Sequence, residues 1–222
     1  MPKQPPKLPS ITVADLAVPP REGGYVRGDK TREDILRAAL GLLVEDGYRA
    51  LSMRRVAAAC GMRLGNLTYH FPTREDLLRA LFEAVIGSYE VEFAEIARLP
   101  GPAPEVQLVA VCQLILDDIR TKKTTHLFPE LWALSNHDAF VLERVQELYA
   151  RARQPILEAI AAMRPDLDEA TRQDLALFIS ASMEGLTIFA GHGKPFEARM
   201  PDLEQIAIGC FLDLVRTYGR PE

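Results

Sequence analysis

The segment from residue 51 to residue 71 constrains the fold more than any other part of the chain, because it contains two short apolar helical patterns separated by a glycine. Ser52 can cap the first helix, and Gly61 supplies the backbone freedom needed to end it. In the second helix Leu67 and Phe71 are one turn apart, so both are predicted to face the core. This arrangement predicts a helix-turn-helix, a motif that places its second helix in the major groove of DNA.

The outward surface of that second helix is the part expected to meet DNA. Asn66 can pair bidentately with adenine, and Tyr69 points away from the apolar anchor. Leu64 has two interpretations, contact with a thymine methyl group or a place in the core. The full predicted set on this helix is Leu64, Gly65, Asn66, Thr68, Tyr69 and His70.

These residues resemble the tetracycline-repressor (TetR) family, in which the recognition helix ends in a signature similar to Leu-Tyr-Tyr-His-Phe. Here the signature is Leu-Thr-Tyr-His-Phe at 67–71, and the resemblance continues in the same register over 31–47 and 72–78. Two positions depart from the family pattern: Thr68 replaces a common aromatic residue, and Arg63 replaces the small residue that usually opens the recognition helix. The base preference of relatives therefore cannot be transferred to this chain.

Helical periodicity continues through the rest of the chain, with no competing strand pattern. Thr31 with Asp34 predicts the start of a first helix that ends near Gly47, and Thr73 with Asp76 predicts the cap of a fourth. Beyond the Pro/Gly cluster at 100–104, helical patterns lie near 105–121, 126–134, 137–163, 168–190 and 202–218, with a kink or break expected at Pro155.

The expected fold is all-α, a three-helix helix-turn-helix DNA-binding domain followed by a helical ligand-binding and dimerisation domain. We assign residues 1–24 to a flexible proline-rich arm and 25–78 to the DNA-binding domain, with the motif at 52–71. Residues 79–222 form the effector-binding and dimerisation domain.

Charge is distributed unevenly, although the whole chain has a net charge of −5. Residues 21–80 carry eleven basic against eight acidic side chains, whereas residues 81–222 carry thirteen against twenty-two. Phosphate contacts are therefore expected near the motif. The candidates are Ser52, Arg54, Arg55, Arg63, Thr73 and Arg74, with Arg27 and Lys30 in a basic arm that related proteins lay along the minor groove. A solvated leader is the alternative for that arm.

Aromatic and methionine side chains are frequent after residue 104. As a set they predict a largely apolar cavity between helices, with a few polar groups that orient a small apolar or amphipathic ligand. The candidates are Cys112, His126, Phe128, Trp132, His137, Phe178, Met183 and Phe189. Core packing is the alternative for each of them taken singly. Residues 127–138 also resemble ligand-domain sequence of some TetR-like regulators, which does not name the ligand.

The last two helical patterns combine large apolar residues with small ones, so they can form half of a four-helix bundle with a second copy. In the TetR family the last two long helices commonly dimerise, and one motif per chain needs a partner to reach two half-sites. The resemblance thus implies a homodimer, for which the expected interface residues are Ala181, Ser182, Gly185, Phe211 and Leu214. A monomeric helical core is the alternative.

Several classes of site and location are not expected. Cys60, Cys112 and Cys210 are far apart in apolar patterns, so we predict neither a disulfide nor a metal site, and no cofactor. The glycine spacing near Gly191 does not match a phosphate-binding loop, and no paired histidine or carboxylate signature supports an enzyme. The chain contains no leader pattern or apolar span of membrane length, which predicts a cytoplasmic protein without membrane contact.

Taken together, the sequence predicts a ligand-responsive transcriptional regulator, and the resemblance implies a repressor that a small effector releases from double-stranded operator DNA. The rival hypothesis is a helical small-molecule-binding or adaptor protein whose helix-turn-helix is only scaffold. A helical enzyme is a third.

Overall fold

The described part of the chain, residues 16–18, 26–97 and 103–219 of a computed structural model, contains α-helices, two short 3-10 turns and no strand. The side chains at 26, 97 and Arg27 lie outside this description. The predicted arm at 1–24, apart from 16–18, also lies outside it. The all-α prediction is confirmed. The helices are α1 (Val26–Asp46), α2 (Met53–Ala59), α3 (Leu64–His70), α4 (Arg74–Ala97), α5 (Pro104–Ile119), α6 (Lys122–Ser135), α7 (Ala139–Met163), α8 (Glu169–Ala190) and α9 (Met200–Thr217).

Several expected features of the helices differ from the structure, most clearly at α1 and α7. α1 begins at Val26, five residues before Thr31, with Asp29 in its first turn, where an acidic side chain interacts favourably with the helix dipole. α7 is continuous through Pro155, so the expected break is wrong, whereas the expected kink stays a prediction. Buried Ile156 and Ile160 anchor the second half of α7, and such packing can outweigh the backbone hydrogen bond that proline removes.

The described residues form two compact units. The headpiece unit contains residues within 16–89 together with 126–148, and the bundle unit contains residues within 90–125 together with 149–219. The helices α4, α6 and α7 each contribute residues to both units. The predicted end of the DNA-binding domain at residue 78 stays a prediction.

Each unit has its own apolar core. In the headpiece unit most of the fully buried side chains come from α1, the helix-turn-helix and the start of α4, and they include Ile35, Leu36, Leu43, Val56, Leu67, Phe71, Leu77 and Leu81. In the bundle unit α5, α8 and α9 supply most of the core, including Leu108, Leu116, Ile179, Met183, Phe211 and Val215. At about 25 cal/mol per Å² of buried apolar surface, these cores are the main source of stability.

Arg164 closes the C-terminal end of α9 in the bundle unit. Arg164 is 3% exposed, and its guanidinium donates to the main-chain oxygens of Val215 at 2.9 Å and Tyr218 at 3.0 Å. It also forms an ion pair with Asp166 at 2.7 Å. The last carbonyls of a helix have no partner within the helix, so Arg164 satisfies groups that α9 would otherwise leave unpaired.

The end of α8 lies very close to the start of α6. Gly191 is buried, and a Cβ atom there would lie 2.6 Å from Thr125 Oγ1 and 2.6 Å from the Thr187 carbonyl oxygen. We expect Gly191→Ala to lower the free energy of unfolding by about 1–3 kcal/mol because of this overlap. Chemical denaturation would measure the loss. Gly41→Ala is the control, since a Cβ on Gly41 meets nothing within 4 Å, and equal stability of the two variants would contradict the steric argument.

Candidate nucleic-acid interface

The helix-turn-helix has the geometry that the sequence predicts. Ser52 caps α2 by accepting a hydrogen bond from the Arg55 main-chain N–H at 3.3 Å. Gly61 follows α2 with φ of 64°, a left-handed conformation that favours glycine. Leu67 and Phe71 are buried at 0% and 1% exposure, so they anchor α3 as expected.

The opposite face of α3 is open. Tyr69 is 83% exposed, and Leu64, at 38%, is on the surface rather than in the core. Gly65 and Asn66 are also exposed, whereas Thr68 is half-buried and its hydroxyl donates to the Gly65 carbonyl at 3.1 Å. The face combines a tyrosine hydroxyl, an amide and an apolar side chain, which are groups that can contact base edges in a major groove.

His70 supports Tyr69 rather than standing apart from it. The two rings meet edge to face, with centroids 5.3 Å apart and an interplanar angle of 84°. This contact restricts the orientation of the Tyr69 ring, which lowers the entropy cost of placing it in a groove.

Two arginines hold the end of α3 and the segment before α2 in place. Arg32 of α1 lies 4.2 Å above the Phe71 ring and donates to the His70 carbonyl at 2.9 Å. Arg74 lies 4.2 Å above the Tyr48 ring and donates to the Leu51 carbonyl at 3.1 Å. Each contact joins a cation–π interaction with a hydrogen bond, so both arginines act within the headpiece unit. The sequence pattern does not indicate the role of Arg32, and it predicts a phosphate contact for Arg74 instead.

The other predicted phosphate contacts differ in their surroundings. Arg55 forms an ion pair with Asp46 at 2.5 Å, and Thr73 forms the predicted capping box with Asp76 at the start of α4. Arg54 and Arg63 are exposed on α2 and at the start of α3, and Lys30 is exposed on α1. Because Arg55 and Thr73 already have protein partners, Arg54 and Arg63 are better placed to bind phosphate oxygens.

α6 contacts the end of α1 in the headpiece unit. Glu130 Oε2 accepts a hydrogen bond from the Tyr48 main-chain N–H at 3.2 Å, and His126 Nδ1 lies 2.8 Å from the Val44 carbonyl oxygen. The short 3-10 turn after Gly47 has no side-chain cap of its own, so Glu130 supplies one from 82 residues away in sequence. His126, which the sequence placed among ligand residues, therefore has a structural contact.

The eight predicted ligand residues are divided between the two units. His126, Phe128, Trp132 and His137 belong to the headpiece unit, whereas Cys112, Phe178, Met183 and Phe189 belong to the bundle unit. Cys112 and Met183 are buried, and burial raises the pKa of the Cys112 thiol to about 12. Phe178 and Phe189 are 58% and 59% exposed. Helical spacing alone could not show that these side chains face different surroundings.

An apolar groove of about 430 Å³ runs between α8 and α9. Three predicted dimer residues line it, namely Ser182, Phe211 and Leu214. Ala181 is exposed and Gly185 is half-buried beside it on α8. Phe178 also lines the groove, so its ring belongs to this surface rather than to an internal cavity. The remaining lining residues are Leu186, Leu203, Ile206, Ala207 and Cys210.

The described residues meet neither the requirements of a metal site nor those of a membrane-spanning helix. Within 16–18, 26–97 and 103–219, no group of three or more histidine, cysteine or carboxylate side chains could hold a metal ion. None of the helices there is both long and apolar enough to cross a membrane.

Comparison with known families gives two matches along the chain. Residues 35–81 match the model for bacterial regulatory proteins of the tetR family, and residues 104–206 match the C-terminal model of BetI-type transcriptional repressors. The first match covers the helix-turn-helix, and the second covers most of α5 to α9.

Individual relatives agree with these models. The chain is 36% identical to the HTH-type transcriptional regulator CymR of Pseudomonas putida over 101 residues, which is 45% of this chain and about half, 47%, of CymR. It is 27% identical to the regulator AcrR of Shigella flexneri, over 82% of this chain and 90% of AcrR.

Solved structures share the fold. A TetR-family regulator from Rhodococcus sp. has a TM-score of 0.68 at 20% identity, covering 84% of this chain and 99% of that one. A regulator from Saccharomonospora viridis, solved in complex with choline, has a TM-score of 0.66 at 21% identity. The match covers 83% of this chain and 96% of that one.

Proposed function

Since this chain belongs to the TetR family of transcriptional regulators, we propose that it acts as a homodimeric, ligand-responsive repressor that binds double-stranded operator DNA. The observation that carries the proposal is the open face of α3, where Tyr69 is 83% exposed on a helix whose other side is anchored by Leu67 and Phe71. This helix is one part of a DNA-binding headpiece. The rival hypothesis, an inactive scaffold, does not require an exposed tyrosine on the outer side of α3.

In the proposed complex, α3 enters the major groove. Asn66 and Tyr69 contact base edges, Leu64 contacts a thymine methyl group, and Arg54 and Arg63 hold phosphate oxygens. Phosphate contacts position the helix without reading sequence. Arg32 keeps the end of α3 in place before binding, which reduces the ordering cost of association.

The groove between α8 and α9 supports the homodimer. Its exposed apolar side chains include Phe178 at 58% and Ile206 at 61% exposure. A second copy would cover this surface and set two α3 helices at half-sites about one helical turn apart, 34–36 Å, or at a multiple of it.

Regulation follows if an effector favours a different arrangement of the two headpieces. A small apolar or amphipathic molecule bound in the bundle unit then lowers operator affinity through a shift in populations. The description of the C-terminal match as a repressor domain supports the negative sign of regulation. We propose no catalytic role, and the expected location is the cytoplasm.

One experiment tests the class directly. Sequences bound by the full chain are selected from random duplex DNA, and a library of small lipophilic and cationic molecules is then screened for release of the winning sequence. Selection of a palindromic site supports a dimeric operator-binding protein. Equal, weak affinity for every duplex would support the scaffold hypothesis instead.

We expect Tyr69→Ala to lower affinity for the selected operator by roughly 10- to 100-fold, because a base contact contributes about 1–3 kcal/mol to specific binding. Fluorescence anisotropy with labelled duplex measures the change. Tyr218→Ala is the matched control, because Tyr218 is an exposed tyrosine beyond the end of α9. An operator affinity that is the same in both variants would remove Tyr69 from the interface.

A further inference from the structure

Polar side chains interrupt the apolar core of the bundle unit at one place. Asp118 of α5 is 4% exposed, forms an ion pair with Lys123 Nζ at 3.4 Å, and accepts a short hydrogen bond from the Thr124 hydroxyl. Glu184 of α8 is close enough for the charge of Asp118 to act on it, and Tyr149 of α7 donates a hydrogen bond to it. Two carboxyl groups and one lysine therefore share this region.

Two oxygen atoms of α8 in this region lack hydrogen-bond partners among the residues that the structure describes. They are Glu184 Oε2 and Thr187 Oγ1, and both atoms are buried. Thr187 as a whole is 0% exposed. Residues three apart on a helix lie on the same face, with Cβ atoms about 5–6 Å from each other. A buried polar atom without a partner is destabilising, so two neighbouring ones need a cause.

We propose that Glu184 and Thr187 form the polar end of a binding site for a protonated amine with an apolar body. A carboxylate only accepts hydrogen bonds, and a hydroxyl can also accept, so an ammonium N–H group can satisfy both oxygens. Asp118 already has Lys123 as its cation, whereas no positive charge is among the groups that shift the pKa of Glu184. The aliphatic core of the bundle unit requires the rest of the ligand to be apolar.

This inference deepens the proposed function, because it names the class of effector that the repressor would take. It also predicts that binding of the amine is coupled to release of a proton. Burial and the nearby Asp118 raise the pKa of Glu184 to about 7, so at pH 6 the carboxyl of the free protein holds its proton. An ammonium ion favours the carboxylate, and binding at pH 6 should release close to one proton per chain.

The test uses the full chain without DNA and n-hexylamine as the probe, which stays protonated at pH 6. Titration calorimetry in two buffers with different ionisation enthalpies gives both affinity and proton release. We expect hexylammonium to bind with proton release. Hexan-1-ol, which has no charge, and hexyltrimethylammonium, which has no N–H group, should bind roughly 10- to 100-fold more weakly.

Variants assign the effect to residues. Glu184→Gln should abolish proton release and weaken hexylammonium by roughly 10- to 100-fold, and Thr187→Val should weaken it while proton release remains. Glu158→Gln, an exposed glutamate on α7, is the matched control and should behave as wild type.

Two results would overturn the inference: hexylammonium that binds no better than hexan-1-ol, or binding whose proton release survives Glu184→Gln. A buried water would then be the better partner for the two oxygens. Because the assay contains no DNA, its failure is distinct from failure of the repressor proposal. Glu184-dependent binding that leaves operator affinity unchanged would support the amine site and contradict only the switch.

Discussion

Phe178→Glu is expected to convert the protein to a monomer and to lower operator affinity by about 100-fold or more. Phe178 is 58% exposed and lines the groove between α8 and α9. A carboxylate at this position would be buried without a partner in the proposed dimer, yet it would remain solvated in a folded monomer. A monomer carries one recognition helix, so it loses the second half-site and with it much of the gap between specific and non-specific binding.

Sedimentation measures the oligomeric state, and anisotropy measures the operator affinity. Ile206→Glu, on the α9 side of the same groove, should give the same result. Val91→Glu is the matched control because Val91 is 53% exposed on α4, outside the residues that line the groove. If both groove variants stay dimeric, the dimer interface must lie on another surface.

Glu184→Gln is expected to stabilise the protein at pH 8 by about 3 kcal/mol and to have little effect at pH 5. Burial, which is the largest cause, and the charge of Asp118 raise the pKa of Glu184 from 4.5 to about 7, although the hydrogen bond from Tyr149 opposes the rise. The native state thus binds more protons than the unfolded state between these values, so stability falls as pH rises from 4.5 through 7. Glutamine has the same shape and cannot ionise, so the variant does not lose this stability.

Urea denaturation at pH 5, 6, 7 and 8, at one fixed protein concentration, measures the effect. The difference between variant and wild type should grow with pH and level off above pH 7. Glu158→Gln provides the control for a glutamate on the surface. A difference that is constant across the range would mean that the Glu184 carboxyl does not titrate within it.

The amphipathic pattern of the sequence determined the helix-turn-helix. Ser52, Gly61 and the Leu67–Phe71 anchor act within one or two helical turns, where caps, backbone freedom and helical spacing decide the structure. The capping box at Thr73 and the all-α architecture follow for the same reason, and all are confirmed. The exposed face of α3 could therefore be predicted without a structure.

Only the tertiary structure decided which charged and aromatic side chains face inward. Arg32 meets His70 across 38 residues, and Glu130 meets Tyr48 across 82, so no local pattern predicts either contact. Phe178 has the helical spacing of a core residue, yet it lies on the open groove. In the sequence pattern Glu184 is an ordinary polar position of α8, whereas in the structure its Oε2 atom is buried. Sequence spacing fixes which residues share a helix face, but what that face meets depends on the packing of distant helices.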